Sequence, residues 1–383
     1  MNIGILYPRS KAHPSLLPDF MDGIKASLKQ ELSEGTMQLF SESIGFGAAE
    51  KEVYEKAEKL LVLENADILI AYVDMRVAPI LAPLMHASGK LLILVNAGAN
   101  YPDNWIPQPG TIYLTLQHAF ASWLTGSLAG KMKNKNGVFA TTFFDCGYLH
   151  SAAMIKEFTV AEGNIVFNYI NKQAYDNQFE IKQLTDFLAA NKNAENLLCA
   201  FDSLPASLFY KLLSESEQAS SLHLFATPMM LEPDALKGIG EGFPFSIDGH
   251  VPWIASQNND GNKIFKEVYK DKTKRDPSIF ALQGWETGLV LKQIFIDCKT
   301  YYIDGNKITD HLATIQIDGP RGEMKFNKET HYFFTPVHKC SLKNNTANLE
   351  SEWINNIDDK WKAFTAIENS SNSAGWLNTY LCY

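Results

Sequence analysis

The chain has 383 residues, 46% of them hydrophobic and 20% charged, enough to bury one large core or two medium ones. Its 43 acidic residues outnumber 34 basic ones, and the formal charge of −9 leaves no basic surplus for a phosphate-tracking surface, which argues against nucleic acid as a partner. No apolar run approaches the roughly 20 residues of a membrane span, and the five cysteines are too few and too scattered for a disulfide scaffold or a zinc module.

From the amino terminus, short apolar runs alternate with amphipathic stretches: a strand at 3–7, a helix at 18–32, a strand at 37–40 and a helix at 48–63. The alternation goes on with a strand at 67–73, a helix at 77–87, a strand at 91–95 and, past a Pro- and Asn-rich loop, a strand at 111–116. Strands spaced this way join by right-handed crossovers, so they predict a parallel sheet covered by helices on both faces. After a helix at 119–131 the pattern restarts, with strands at 137–143, 164–169, 196–201, 222–226 and 243–247 interleaved with helices at 151–161, 179–190 and 205–216. Helices at 262–269 and 280–296 follow. Two such series predict an α/β chain of two Rossmann-like lobes, each with a parallel sheet, and a cleft between them.

From 315 onward the sequence turns hairpin-like and then polar, yet Trp353, Trp361 and Trp376 recur, which predicts a tail that packs on the lobes. Cys340 and Cys382 lie here. A disulfide between them adds about 3–4 kcal/mol in an oxidising compartment, and a reduced pair fits the sequence equally.

In open α/β sheets, ligands collect where strands end and helices begin. The polar loop at 8–15 is either a solvated connector or a lip over the cleft. Asp74-Met75-Arg76 and Asn96-Ala97-Gly98-Ala99-Asn100 follow later strands, and their small residues let a ligand approach backbone amides that can grip a carboxylate or carbonyl oxygen. In the second series Phe144-Asp145-Cys146-Gly147-Tyr148, Phe201-Asp202-Ser203-Leu204 and Thr227-Pro228-Met229-Met230 take the same position, suiting an apolar ligand body with a donor head. N-capping also accounts for Asp145 and Asp202.

Catalytic patterns are scarce. There is no GxGxxG after the first strand, no GxxxxGK[ST], no GxSxG and no HExxH. His118 and His150 stand at helix starts without a Cys or Ser partner and read as structural histidines. The sequence points to binding without catalysis, cofactor or metal, and the missing nucleotide-binding loops disfavour a two-lobed glycosyltransferase.

Five segments carry a likeness: Ile3-Gly4-Ile5-Leu6-Tyr7-Pro8; Phe20-Met21-Asp22-Gly23-Ile24; Ala82-Pro83-Leu84-Met85 leading into Leu92-Ile93-Leu94-Val95-Asn96-Ala97; Ala281-Leu282-Gln283-Gly284-Trp285; and the hairpin Asp318-Gly319-Pro320-Arg321-Gly322. Through them the chain resembles the Leu/Ile/Val-type branch of the type I periplasmic binding proteins over roughly residues 3–326. The resemblance implies three interlobe crossings, near 116–120, 248–253 and 321–327. Residues 1–118 plus 251–323 then form one lobe and 119–250 plus 324–383 the other, hinging shut on a small ligand such as an amino acid, an amide or a small organic acid.

It also implies an ABC permease as partner and a periplasmic or other extracytoplasmic location. Because Met1 reads directly into a strand with no leader ahead of it, a cytoplasmic amide- or metabolite-sensing regulator is the alternative on the same fold. Carried over by position, the ligand contacts fall on Asp74, Met75, Ala97, Gly98 and Ala99 in the first lobe and on Tyr148, Asp202 and Thr227 in the second, with Trp285 as a wall. Met75 and Ala99 stand where the family's amino-acid binders carry hydroxyl residues, which leaves backbone amides to hold a polar head.

Overall fold

The computed structural model describes residues 1–47, 49–172, 179–240, 242–298, 305–342, 350–354, 356–367 and Tyr380. In chain order the strands are β1 (Asn2–Tyr7), β2 (Gln38–Ser43), β3 (Ile68–Tyr72), β4 (Leu91–Asn96), β5 (Thr111–Thr115), β6 (Asn136–Thr142), β7 (Asn164–Asn171) and β8 (Asn196–Ala200). They continue as β9 (His223–Ala226), β10 (Ser246–Val251), β11 (Ile317–Gly319), β12 (Gly322–Phe326), β13 (Tyr332–Phe334), β14 (His338–Leu342) and β15 (Glu350–Trp353).

They form two sheets, ordered β11-β12-β13-β5-β4-β3-β1-β2 and β15-β14-β10-β9-β8-β6-β7. Each has the expected parallel body, but each ends in antiparallel strands, β11 to β13 in one and β14 with β15 in the other. The sheets are therefore mixed.

The apolar runs form strands because both faces of each sheet are covered. In β3, Ile68, Ile70 and Tyr72 enter one core with Phe20 and Ile24 of helix Leu16–Ser27 and Leu282 of helix Ile279–Cys298. Leu69 and Ala71 enter the other, with Val53 and Leu60 of helix Glu50–Val62 and Leu81 of helix Ala78–Ala87. A strand buried on both faces reads as a continuous apolar run, which is what made it visible in the sequence. The second sheet repeats the arrangement, Leu197 and Cys199 of β8 facing one core and Leu198 and Ala200 the other.

Among the boundaries that differ from the sequence reading, two bear on the second sheet and on the passages between sheets. The strand expected at 243–247 begins only at Ser246, because Pro244 has no N–H to give a ladder; Phe243 and Phe245 instead pack into the core from irregular chain. The third passage between sheets comes after β13, at 335–337, not at 321–327. Residues 324–334, expected in the second lobe, extend the first sheet: Lys325 and Phe326 pair with Phe334 and Phe333, and Tyr332 pairs with Tyr113 of β5.

The first and third passages touch. Gln117, in the left-handed conformation at φ 58°, accepts hydrogen bonds on Oε1 from both the N–H and the hydroxyl of Thr335, each 2.9 Å.

Past β15, helix Ile357–Thr365 sets Trp361 and Phe364 into an aromatic cluster with Trp105, Phe120, Tyr332 and Phe334. This realises the packed tail at Trp361; the Trp353 side chain and Trp376 lie outside the described residues. Cys340 is a buried free thiol on β14, and Cys382, its suggested partner, is also outside the described residues. Among the described residues no helix is long and apolar enough to cross a membrane.

Candidate functional site

The carboxyl ends of both parallel bodies face one cleft, and each strand delivers its polar residues there as chain topology requires. The loop after β1 brings His13, and the turn after β3 brings Asp74. The chain after β4 brings Asn96 to Asn100, and that after β5 leads into His118 at the start of helix His118–Ala129. From the second sheet, β6 delivers Thr142, Asp145, Tyr148 and His150, β8 delivers Asp202, and β9 delivers Thr227 and then Glu232.

Contacts among the described residues bridge the cleft. The His13 imidazole donates to Asp202 Oδ2 at 3.0 Å. Asn100 accepts from the Leu149 N–H at 3.0 Å while its amide donates to Asp74 at 2.7 Å.

The second-sheet wall is acidic. The Asp202 N–H and the Thr142 hydroxyl donate to Asp145 Oδ2, at 3.1 and 2.7 Å, yet burial, with Asp202 adding to it, raises Asp145 to about 8. Burial likewise raises Glu232 to about 8, with nearby Asp202 and Asp234 contributing. Burial alone would lower His13, but Asp202 beside it, helped by Glu232 and Asp234, carries it above its ordinary value. The first-sheet cation, Arg321, is neutralised within its own half: its guanidinium holds Glu286 at 2.6 Å, both fully buried, and donates to the Thr115 carbonyl.

Several buried polar atoms in this region lack a hydrogen-bond partner: both ring nitrogens of His118 and of His150, Asp202 Oδ1, Thr227 Oγ1 and Arg321 Nη1. Burial pulls His118 well below its ordinary value, with His150 and Arg321 adding to the effect, and takes His150 down to about 4. Unsatisfied buried polar atoms cost about 1–3 kcal/mol each, so a cluster of them contributed by both sheets marks a place built for something else to fill.

A family model described as periplasmic binding protein matches residues 1–345. The chain belongs to the periplasmic binding proteins.

Solved structures agree on the fold. An ABC transporter substrate-binding protein from Sphaerobacter thermophilus superposes with a TM-score of 0.74 at 15% identity, over 92% of this chain and 96% of that one. An ABC-transporter solute binding protein from R. palustris, solved with benzoate, gives 0.69 at 20% identity over 92% and 97%. A leucine binding protein from Thermotoga maritima gives 0.65 at 15% identity over 94% and 99%. No curated protein matches the sequence.

Within this periplasmic binding protein, the expected contact residues divide. Asp202 reaches across the cleft to His13, whereas Tyr148 is stacked on His150 with ring centroids 5.8 Å apart and Thr227 is fully buried just after β9. Asp202 occupies the N-cap position of helix Ser203–Ser214 without capping it, its carboxylate going to His13 instead. Asp74 is buried and spent locally, accepting from Arg76 and Asn100. Met75 packs against one core of the first sheet, and Ala97 is part of the core on its other face.

The Gly98 N–H is already given to Asn96 Oδ1 at 2.7 Å, and Gly98 sits at φ 66° where an added Cβ would meet the Gln117 nitrogen at 2.9 Å. It shapes a tight backbone corner; Ala99 is buried beside it. Trp285 is not a wall of the cleft: it lies in the first-sheet core, 5.4 Å from the Phe265 ring, because its turn of helix Ile279–Cys298 packs on helix Leu16–Ser27.

The sequence reading offered His13 only as part of the 8–15 loop, a connector or a lip over the cleft, missed Glu232 and Phe280, and read His118 and His150 as structural. The last two carried a usable signal, a histidine at a helix start directly after a strand. His13 and Glu232 sit in loops whose paths no periodicity reveals.

Proposed function

We propose that this chain is a solute-binding protein that captures a small molecule between its two sheets, the halves 1–118 and 252–334 closing on 119–251 and 338–353 by hinge motion. The observation that carries the reading is the set of unpartnered buried atoms on His118, His150, Asp202, Thr227 and Arg321, drawn from both halves. A ligand held by both halves stabilises the closed arrangement by its differential affinity for it. No bond-making step is required of these residues, and delivery to an ABC permease in an extracytoplasmic space is the role that family membership supports.

The ligand's polar head is held by side chains more than by the 97–99 backbone, since the Gly98 amide is engaged. Thermal unfolding in the presence of amino acids, amides and small organic acids tests the reading. A saturating ligand at about 100 times its Kd adds about 2.7 kcal/mol, and His118→Ala is expected to remove the gain. Absence of stabilisation by every class overturns it.

A further inference from the structure

The cleft is not empty of ligand-like chemistry, because the chain fills part of it with its own Tyr380. This side chain is 2% exposed and touches both halves. Its ring meets His13 edge-on at 4.9 Å and 84°, Phe280 at 5.0 Å and 85°, and His118 at 5.8 Å and 71°. Its hydroxyl donates to Glu232 of the second half, and its carbonyl accepts from Ser10 of the first. Three rings set at steep angles around a fourth form an aromatic cage, whose edge-to-face contacts contribute beyond simple burial. A ring held at one side by the first half and by its hydroxyl at the other reproduces what a captured solute does in a closing cleft.

We propose that this enclosure is a binding site for a neutral phenol ring, occupied by the chain's own Tyr380, and that an external ligand of the same chemistry binds by displacing it. The inference rests on the reading of the cleft as a ligand site and deepens it to a ligand class. The charge of the wall decides between a phenol and an aryl carboxylate. The titratable groups acting on the Tyr380 hydroxyl are Glu232, Asp202 and the neutral Tyr72, and the His13 ring beside it is engaged by Asp202. An aryl carboxylate placed there meets the Asp202 carboxylate in a buried setting that disfavours a second charge, whereas a neutral hydroxyl pairs with Glu232, which burial raises to about 8, as donor or as acceptor. Arg321, whose charge acts on His118, is matched by Glu286 and offers no net charge to a carboxylate.

Calorimetric titration of the full chain and of Tyr380→Ala with p-cresol, the isolated tyrosine ring, tests the proposal, with benzoate and L-leucine as comparison ligands. Tyr380→Ala is expected to bind p-cresol at least about tenfold more tightly than the parent, the gain for a site that Tyr380 leaves vacant in about a tenth of molecules or fewer. It is also expected to prefer p-cresol to benzoate, and to lose p-cresol binding when Glu232→Leu is added. Tyr380→Phe keeps the ring without the hydroxyl; it is expected to give an intermediate affinity and carries the test if Tyr380→Ala does not fold.

Equal p-cresol affinities in parent and variants overturn the displacement. Preference for benzoate overturns the phenol assignment. Binding of L-leucine or benzoate without p-cresol overturns this inference and leaves the solute-binding reading standing, whereas no binding of any of the three counts against both.

Discussion

Arg321 and Glu286 are each at most 1% exposed and face one another across a hairpin and a helix. Removing one partner strands the other charge in the interior, so Glu286→Gln is expected to lower stability by about 3–5 kcal/mol, whereas Arg321→Met with Glu286→Leu is expected to be far milder; urea unfolding compares the two. Protonation gives a second expectation. Asp145 and Glu232, both raised to about 8, and His13, also raised, bind protons more tightly in the fold than in the unfolded chain. The stability they contribute is complete below their unfolded values and is lost as pH rises through the folded ones. His150, His250 and His338, lowered by burial to about 4, 3 and 4, and His118, lowered well below its ordinary value, act oppositely: they stay neutral in the fold and lose stability as pH falls below about 6.5. With His331 the lowered histidines are five, against four raised carboxyls once Asp74 and Glu157 are included, so the thermal midpoint is expected to peak near pH ~6.5 and to fall on both sides. A midpoint unchanged between pH 6.5 and 5 would show that these histidines are not buried in neutral form.

Gly23 and Gly284 show what a local motif encodes in packing. They come from two widely separated helices, Leu16–Ser27 and Ile279–Cys298, and each lets one backbone reach the other: a Cβ on Gly284 would stand 2.0 Å from the Phe20 carbonyl oxygen, and one on Gly23 would stand 2.2 Å from that of Ala281. Gly284→Ala is expected to force the helices apart and cost about 1–3 kcal/mol or more, read as a lower urea midpoint. Gly240→Ala, with open space around it, is expected to leave the midpoint unchanged. Both glycines stood in segments that carried the family resemblance, but the contact between them was not read from the sequence; the buried strands β3, β4 and β8, with their unbroken apolar runs, were legible there. The hairpin of β11 and β12 was read at its Gly319-Pro320 turn, but the short strand β13 was not, because three residues are too few to show a period. Tyr380 was invisible for another reason: it follows a polar tail, and nothing local marks a side chain whose partners, His13 and Phe280, lie hundreds of positions or a whole sheet away.

Across the whole chain the alternation of runs foretold two sheets and a cleft between their strand ends, but not where the chain passes from one to the other for the third time. That passage depends on the edge strand β13 pairing with β5, a contact between distant parts of the sequence. It also places Thr335 against Gln117, so that two of the three connections between the halves meet at one side chain. Gln117→Ala leaves the buried Thr335 N–H without its acceptor and is expected to cost about 1–3 kcal/mol in thermal unfolding. The tie has a mechanical meaning as well. Two ribbons tied at one side chain cannot slide past each other there, so the hinge closure proposed above has to turn about the tie. A molecule entering the cleft would then set an angle between the halves and not an offset, as a latch sets a door.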